Sequence, residues 1–244
     1  METIKLFVKN GKNENLACEI NMPEKPSGNP SVLILHALTG KKENRTINFL
    51  AKNLPKYGWN TIQFDFSGHG ESEGKLEEAT VSKQLGDIRS VLSGINKENV
   101  VIIGNSFSVV TALAFAREND VSALILLSGR ANYLKYMDTL DKLGGKYRLS
   151  DDVLIDEKFI EDYKKHDPLE NIAAIKKPTL IIHGENDEII PKTDAELICK
   201  SSAAEKKEIA IIPYADHRYS GQNCKEAVLS RIISFLEKIT LSRQ

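Results

Sequence analysis

Cysteine is scarce in this chain of 244 residues, and the three that occur follow no pattern. Cys18, Cys199 and Cys224 are odd in number and form no CxxC pair, which argues against a disulfide framework and against a zinc site. No run approaches the roughly 18 consecutive apolar residues that a transmembrane helix needs. We therefore expect no bound metal and no membrane span.

An excess of charge of one sign is also lacking. Lys and Arg number 33 against 34 Asp and Glu, which gives a formal net charge of -1 at pH 7. This balance provides no general field that would attract nucleic acid or an anionic membrane. The first ten residues contain charges where a signal peptide would need a continuous apolar segment. We expect a cytoplasmic protein whose partner is a small molecule, and a homodimer is left open.

Along the chain, the spacing of apolar residues alternates between the period typical of strands and the period typical of helices. Ile4–Val8 and Leu16–Met22 flank an Asn- and Gly-containing turn and predict an N-terminal hairpin. Further strands are predicted at 31–36, 60–66, 100–103, 123–127, 179–182 and 208–212, with helices at 47–54, 81–92, 109–116, 193–200 and 227–236. Residues 1–244 are long enough for one α/β domain and too short for two. We predict an α/β fold with a mostly parallel central sheet covered by helices on both faces.

One segment interrupts this alternation. Between Gly129 and Pro178, charged residues and tyrosines replace the apolar runs over a length too great for an ordinary connection. The segment leaves the carboxyl edge of the sheet beside the strand at 100–103. We therefore predict a cap insertion over residues 131–170 that covers this edge and shapes a substrate pocket. The alternative is a solvated helical excursion without substrate contact.

A serine occupies the sharpest predicted join between a strand and a helix. The join reads Gly104-Asn105-Ser106-Phe107-Ser108. A serine at such a turn projects its hydroxyl above the carboxyl edge of a parallel sheet, which suits a nucleophile. The usual pattern is Gly-x-Ser-x-Gly, and here Ser108 replaces the second glycine. Because serine is also a frequent helix N-cap, the turn alone does not decide the role of Ser106.

Two later loops offer the partners that a nucleophilic serine needs. An imidazole must remove its proton, and a carboxylate must orient that imidazole. The loop after one buried strand holds three competing acids, Glu185, Asp187 and Glu188. His217 follows the last predicted strand. The order Ser106, Asp187, His217 is the one used by hydrolases with this type of sheet, so we predict a catalytic set. Singly, Asp187 would be a turn residue and His217 a loop histidine.

Acyl transfer also needs two backbone donors for the oxygen that becomes negative. The N–H of Phe107, at the start of a helix, is the first candidate. The N–H of Leu38 is the second, because its loop leaves the neighbouring strand at the same sheet edge. His36, at the start of that loop, is expected to brace it by hydrogen bonding rather than to perform acid-base chemistry.

Five segments occur together with the spacing of a known family. They are His36-Ala37-Leu38-Thr39-Gly40, the glycine-punctuated run from Asp65 to Ser72, the Ser106 turn, His183-Gly184-Glu185-Asn186-Asp187 and Asp216-His217. Over nearly its whole length the chain resembles the α/β-hydrolase family, and within it the small serine esterases related to cinnamoyl (feruloyl) esterases and monoacylglycerol lipases. The resemblance implies that Asp187 is the acid and that the Asp65 loop is a structural support. It also implies hydrolysis of a small carboxylic ester through an acyl-enzyme, without a metal or an organic cofactor.

Two positions depart from the family pattern. Ala37 replaces a glycine of the oxyanion loop, and Ser108-Val109 replaces the Gly-Gly after the nucleophile turn. Each change adds a Cβ where backbones approach closely, and a misplaced oxyanion donor costs roughly 2.7–4 kcal/mol. Modest activity or an unusual substrate is therefore expected. The alternatives are a thioesterase or acyl-peptide hydrolase with the same residues, and a non-catalytic binding protein that kept the fold.

Overall fold

The structure is a computed structural model that describes residues 1–25, 28–137, 139–144, 146–150 and 153–241. Its strands are β1 (Glu2–Lys9), β2 (Asn15–Met22), β3 (Ser31–Leu35), β4 (Thr61–Phe64), β5 (Val100–Asn105), β6 (Ala123–Leu127), β7 (Lys142–Leu143), β8 (Lys146–Ser150), β9 (Val153–Ile155), β10 (Thr179–Gly184) and β11 (Lys207–Ile212). Its α-helices are α1 (Arg45–Asn53), α2 (Val81–Gly94), α3 (Ser108–Glu118), α4 (Tyr133–Met137), α5 (Glu157–Tyr163), α6 (Pro168–Ala174), α7 (Lys192–Ser201) and α8 (Cys224–Leu241). Short 3₁₀ turns occur at Leu54–Tyr57 and Leu76–Glu78.

An eight-stranded sheet has the order β1-β2-β4-β3-β5-β6-β10-β11. The predicted hairpin is confirmed, because β1 and β2 pair antiparallel, and β2 continues antiparallel onto β4. All later neighbours, from β4 to β11, pair parallel. The prediction of a mostly parallel sheet is therefore confirmed, and the carboxyl ends of six strands meet at one edge.

Helices cover both faces of the sheet, which explains why the central strands are apolar at nearly every position. Successive residues of a strand point to opposite faces. Accordingly, Leu33 and Leu35 of β3 belong to a core cluster with α2, α3, α6 and α7, whereas Val32 and Ile34 belong to a cluster with α1 and α8. Within the described residues, no helix is both long and apolar enough to cross a membrane.

The segment predicted as an insertion, residues 131–170, leaves the sheet after β6. It contains α4, a small antiparallel sheet of β7, β8 and β9, α5 and the start of α6. These three strands were not predicted, because they are short and lack a clear apolar alternation. Tyr133, Phe159 and Tyr163 pack into the main core cluster. Four residues of the predicted insertion lie outside the described residues: Asp138, Gly145, Asp151 and Asp152.

A buried ion pair joins two loops at the carboxyl edge of the sheet. The Lys42 ammonium lies 2.7 Å from Asp65 Oδ2, and both side chains are almost completely buried. The backbone N–H groups of Lys42 and Glu71 donate to the same carboxylate, at 2.6 and 3.0 Å. Burial alone would raise the pKa of Asp65, but these hydrogen bonds outweigh it and the pKa lies below its usual value. Asp65 therefore stays ionised, and it connects the loop after β3 to the loop after β4.

The glycine spacing after Asp65 follows from the way the chain wraps around this carboxylate. Gly70 has a φ of +52°, and a Cβ there would lie 2.3 Å from Asp65 Oδ2. The Ser72 hydroxyl donates to the backbone carbonyl of Asp65 at 2.6 Å and accepts from the N–H of Ala17 at 2.9 Å. Only glycine fits at position 70, because a larger residue would displace the carboxylate. These contacts are those of a structural support.

We expect Asp65→Asn to lower the free energy of unfolding by up to about 3–5 kcal/mol, because Lys42 loses its buried partner and keeps only Glu71, whose side chain is largely exposed, as a counter-ion. Urea unfolding followed by circular dichroism measures the change. Lys41→Met is the control, since Lys41 pairs with Glu43 on the surface and both side chains are about half exposed. That variant should leave the unfolding midpoint nearly unchanged. Equal effects of the two substitutions would contradict the assignment.

The same pair predicts a pH dependence of stability. Because folding lowers the pKa of Asp65, its contribution is complete above the unfolded value of about 3.9 and is lost as the pH falls through the folded value. The difference in stability between wild type and Asp65→Asn should therefore shrink as the pH is lowered below about 4. Urea titrations from neutral pH to the acid limit measure it. A difference that stays constant would count against an ionised Asp65.

Candidate active site

Ser106 lies in the turn between β5 and α3, in a strained backbone conformation. Its φ of +55° is in the left-handed region that residues other than glycine rarely adopt. A Cβ on Gly104 would lie 2.7 Å from the carbonyl oxygen of Ser108, so strand and helix pass too closely for a side chain at position 104. The Ser106 N–H is tied to the carbonyl of Leu127 at 2.8 Å. The turn therefore holds the Ser106 hydroxyl above the sheet edge.

Ser108 is buried, and its hydroxyl donates to the backbone carbonyl of His36. The closest approach in the turn involves the Ser108 carbonyl rather than its side chain. The turn therefore accommodates the Cβ that Ser108 has and the glycine of the usual pattern lacks. The Ser108 side chain also ties the start of α3 to the loop after β3, a contact that the sequence did not reveal.

Asp187 and His217, which follow β10 and β11, meet Ser106 at this edge. His217 Nδ1 lies 2.8 Å from Asp187 Oδ2, and His217 Nε2 lies 3.1 Å from Ser106 Oγ. When the ring is neutral, Nδ1–H donates to the carboxylate and Nε2 is left to accept the Ser106 proton. The structure brings together all three residues predicted as the catalytic set.

The two other candidate acids occupy different positions. Glu185 accepts a hydrogen bond from the N–H of Tyr214 at 3.1 Å, and Glu188 accepts one from the N–H of His217 at 3.4 Å. Neither carboxylate is hydrogen-bonded to the imidazole of His217 in the described part of the chain. The loop geometry therefore selects Asp187 as the imidazole's partner.

Asp187 is held as an anion by several donors. Its Oδ1 accepts the N–H groups of Ile189 and Ile190 at 3.0 and 2.8 Å. Its Oδ2 lies 3.1 Å from His183 Nε2 as well as close to His217. Burial alone would raise the pKa of Asp187, but the hydrogen bonds from His183, His217 and Ile190 hold it well below its usual value.

His183 was recognised only as part of a sequence motif, and no role was predicted for it. It is fully buried at the end of β10, four residues before Asp187. Its Nε2 faces the carbonyl of Ile190 at 2.8 Å as well as the Asp187 carboxylate. Because both neighbours are acceptors, Nε2 carries the hydrogen. The residue therefore helps to fix the Asp187 oxygen that His217 also contacts.

Two histidines support the loop that carries Leu38. His36 Nε2 accepts the N–H of Phe66 at 3.0 Å, and His36 Nδ1 faces the carbonyl of Ala37 at 2.7 Å. Burial and the neighbouring His69 lower the pKa of His36 to about 4, so the ring is neutral and serves as a brace, as the sequence predicted. His69 Nε2 contacts the Leu38 carbonyl. The Leu38 peptide is therefore held on its carbonyl side.

A cavity of about 830 Å³ opens at Ser106. Leu38 and Phe107 both line it, as does His217. Within the described residues, the N–H groups of Leu38 and Phe107 donate to no other protein group. Both donors are thus available at the same cavity as the Ser106 hydroxyl.

Part of the cavity wall comes from residues 131–170. The side chains that this segment contributes are Tyr133, Tyr136, Met137 and Phe159. The ring of Phe107 lies 5.1 Å from that of Tyr133 and 5.3 Å from that of Phe159, centre to centre. The segment therefore packs directly on Phe107, the residue that follows Ser106 and lines the same cavity.

Known proteins support this arrangement at the level of the family. A family model described as the alpha/beta hydrolase fold matches residues 30–151. The uncharacterized protein YfhR of Escherichia coli O157:H7 is 28% identical over 202 residues, which cover 79% of this chain and 65% of YfhR. The mitochondrial palmitoyl-protein thioesterase ABHD10 of Rattus norvegicus is 22% identical over 228 residues, covering 87% of this chain and 77% of that protein. The chain therefore spans slightly less than two thirds of the length of YfhR.

Solved structures show the same fold over nearly the whole chain. Est1E from Butyrivibrio proteoclasticus, with ferulic acid bound, superposes with a TM-score of 0.86 at 23% identity, covering 97% of this chain and 99% of that one. Alpha/beta hydrolase domain-containing protein 10 from mouse gives a TM-score of 0.83 at 21% identity, with 97% and 99% covered. Together with the strand order and the turn at Ser106, the family match shows that the chain belongs to the alpha/beta hydrolase family.

Proposed function

We propose that the protein is a serine-dependent carboxylic ester hydrolase that acts on a small acyl ester through an acyl-enzyme. The observation that carries this proposal is the hydrogen-bonded series from Asp187 through His217 to Ser106. Ser106, the last residue of this series, lines a cavity large enough for a small substrate. A structural role alone does not require a base, an orienting carboxylate and a strained serine to meet at one cavity.

In the proposed reaction, Ser106 Oγ attacks the ester carbonyl while His217 Nε2 takes its proton. The carbonyl oxygen becomes negative and is bound by the N–H groups of Leu38 and Phe107. The tetrahedral intermediate collapses, and the imidazolium of His217 returns the proton to the departing alcohol. Water then attacks the acyl-serine with His217 as base, and the carboxylic acid leaves. Asp187 stabilises the imidazolium in both halves of the reaction.

We further propose that residues 131–170 act as a cap within a single domain of residues 1–244. Support comes from the four side chains that this segment contributes to the cavity. In this role the segment excludes water from the acyl-enzyme and limits the shape of the substrate. A cytoplasmic location stays a prediction, since the rat and mouse relatives are named as mitochondrial proteins.

Thioester hydrolysis is a second candidate, because several of the relatives are named palmitoyl-protein thioesterases. The same attack on an acyl carbonyl would serve both reactions, and only the leaving group differs. Oxygen and sulfur esters of one acyl group, assayed side by side, separate the candidates. A higher kcat/KM for the thioester, after correction for its greater intrinsic reactivity, would favour the second.

The central prediction is covalent labelling of one serine. A fluorophosphonate should attach once, at Ser106, because only a serine beside a base is activated. Ser106→Ala should abolish the label, His217→Ala should suppress it, and peptide mass spectrometry locates it. Ester turnover by Ser106→Ala should fall by several orders of magnitude, because only binding and the oxyanion donors remain.

Ser108→Ala is the matched control for this experiment, since it removes a hydroxyl from the same turn. That hydroxyl binds the His36 carbonyl and is not in contact with His217, so the label on Ser106 should persist. A folded wild-type protein that takes no label and cleaves no activated ester would contradict the hydrolase proposal. The non-catalytic binding protein would then be the better description.

In the acid limb of its pH–rate profile, ester hydrolysis should depend on the protonation of a single group. His217 must be neutral to accept the Ser106 proton, so log kcat/KM should fall as the pH drops through the range in which imidazoles take up a proton. The limiting slope should be one, because the lowered pKa keeps Asp187 ionised throughout this range. Initial rates on a neutral ester measure the profile. A rate that stays flat well below this range in folded protein would exclude His217 as the base.

A further inference from the structure

Arg130 follows β6 and lines the cavity that contains Ser106. Its Nη2 donates to the carbonyl of Ile189 at 2.7 Å. Its guanidinium carbon lies 4.3 Å from the centre of the Tyr136 ring and 5.6 Å from that of Tyr133. The guanidinium is therefore fixed in place before any substrate binds, and little side-chain freedom is left to lose on binding.

This half-buried cation has no anionic partner in the described part of the chain. The carboxylates that line the cavity are Glu188 and Asp216, which accept hydrogen bonds from the backbone at His217 and Ser220. Asp194, near Tyr133, accepts the N–H of Ala131 at 3.1 Å. None of the three is within ion-pair distance of Arg130. A half-buried charge that is fixed in place without an anionic partner is less favourable than a paired one, so its position beside Ser106 points to an anionic ligand.

One hydrogen-bond donor in this corner, Arg130 Nε, is buried and has no partner among the described residues. The Tyr133 hydroxyl is buried beside it. Burial raises the pKa of Tyr133 above its usual value, so the phenol keeps its proton. The hydroxyl interacts with the Ser106 side chain and makes no well-aligned hydrogen bond within the described residues. The corner therefore presents a guanidinium N–H and a phenol O–H, donors that are complementary to an oxyanion and to an ester oxygen.

We propose that the substrate is an ester with a negatively charged group on its acyl or its alcohol part, and that Arg130 binds this group. The Tyr133 hydroxyl donates to the ester group itself, next to Ser106. This inference rests on the proposed ester hydrolysis and specifies its substrate class. Arg45 and Arg218 line the same cavity and form no ion pair within the described residues. Three arginines against two carboxylates favour an anionic ligand.

Two pairs of probes test this inference and distinguish the position of the charge. The para-nitrophenyl monoester of adipic acid is compared with para-nitrophenyl hexanoate, which places the carboxylate on the acyl part. Para-carboxyphenyl acetate is compared with para-carbamoylphenyl acetate, which places it on the alcohol part. Each rate is divided by the hydroxide-catalysed rate of the same probe. In at least one pair, kcat/KM should be about ten-fold or more higher for the anion, and the ratio should fall as salt is added.

Arg130→Gln should remove this preference, and Arg130→Lys should retain part of it, because lysine keeps the charge without the planar fork. The ratio within each variant cancels any change in the amount of folded protein. Arg89→Gln is the control, since it also removes one positive charge, that of a residue on α2 that forms a surface pair with Glu118 at the end of α3. It should keep the wild-type ratio.

Equal corrected rates within both probe pairs would overturn the inference, as would an Arg130→Gln variant that keeps the full preference. If Arg130→Gln does not fold, the wild-type ratios and their salt dependence decide the question. Hydrolysis of the neutral probes alone leaves the proposed ester hydrolysis intact and excludes only the anionic substrate. If no probe is cleaved and Ser106 takes no fluorophosphonate, the proposed function fails, and this inference fails with it.

Discussion

Parallel pairing of the strands is the constraint on which the rest of the structure depends. Because the carboxyl ends of parallel strands meet at one edge, loops that are distant in the chain become neighbours. His217 and Ser106 are 111 residues apart in sequence, yet their side chains are 3.1 Å apart. In the described chain, no residue of the antiparallel hairpin β1–β2 lines the cavity at Ser106. A polar site can therefore be assembled above a sheet whose interior is almost entirely apolar.

A layer of buried polar contacts supports that edge from below. Asp65 binds Lys42, His36 accepts from the Phe66 N–H, and the Ser108 hydroxyl binds the His36 carbonyl. These contacts tie the loop after β3 both to the loop after β4 and to the start of α3. If Leu38 is an oxyanion donor as proposed, small shifts of its peptide would misplace the donor, and these contacts supply the rigid support that the role requires. Ser108 adds a tether at a position where the family has glycine.

Much of the fold could be predicted because the central strands are buried on both faces and are therefore recognisable as short apolar runs. The strands β7 to β9 could not, since their pairing depends on local hairpin geometry more than on an apolar pattern. Ser106 and His217 were identified from their places after strands. The choice of Asp187 over Glu185 depends on how one loop turns, which spacing does not encode. Arg130 could not be identified as a site residue from the sequence, because the argument for its role depends on which groups lie near it in the folded chain.

In the proposed reaction, the contact between Phe107 and the segment 131–170 would couple substrate fit to reaction rate. The Phe107 ring packs against Tyr133 and Phe159, and its N–H is one of the two proposed oxyanion donors. An acyl group too wide for the cavity would displace these rings. Because Phe107 carries both a ring and the proposed donor N–H, the displacement would also shift that N–H. Poorly fitting esters would then be bound but cleaved slowly. Under the proposed function, discrimination would be expressed in kcat, so a cavity that admits many molecules would still allow reaction with few.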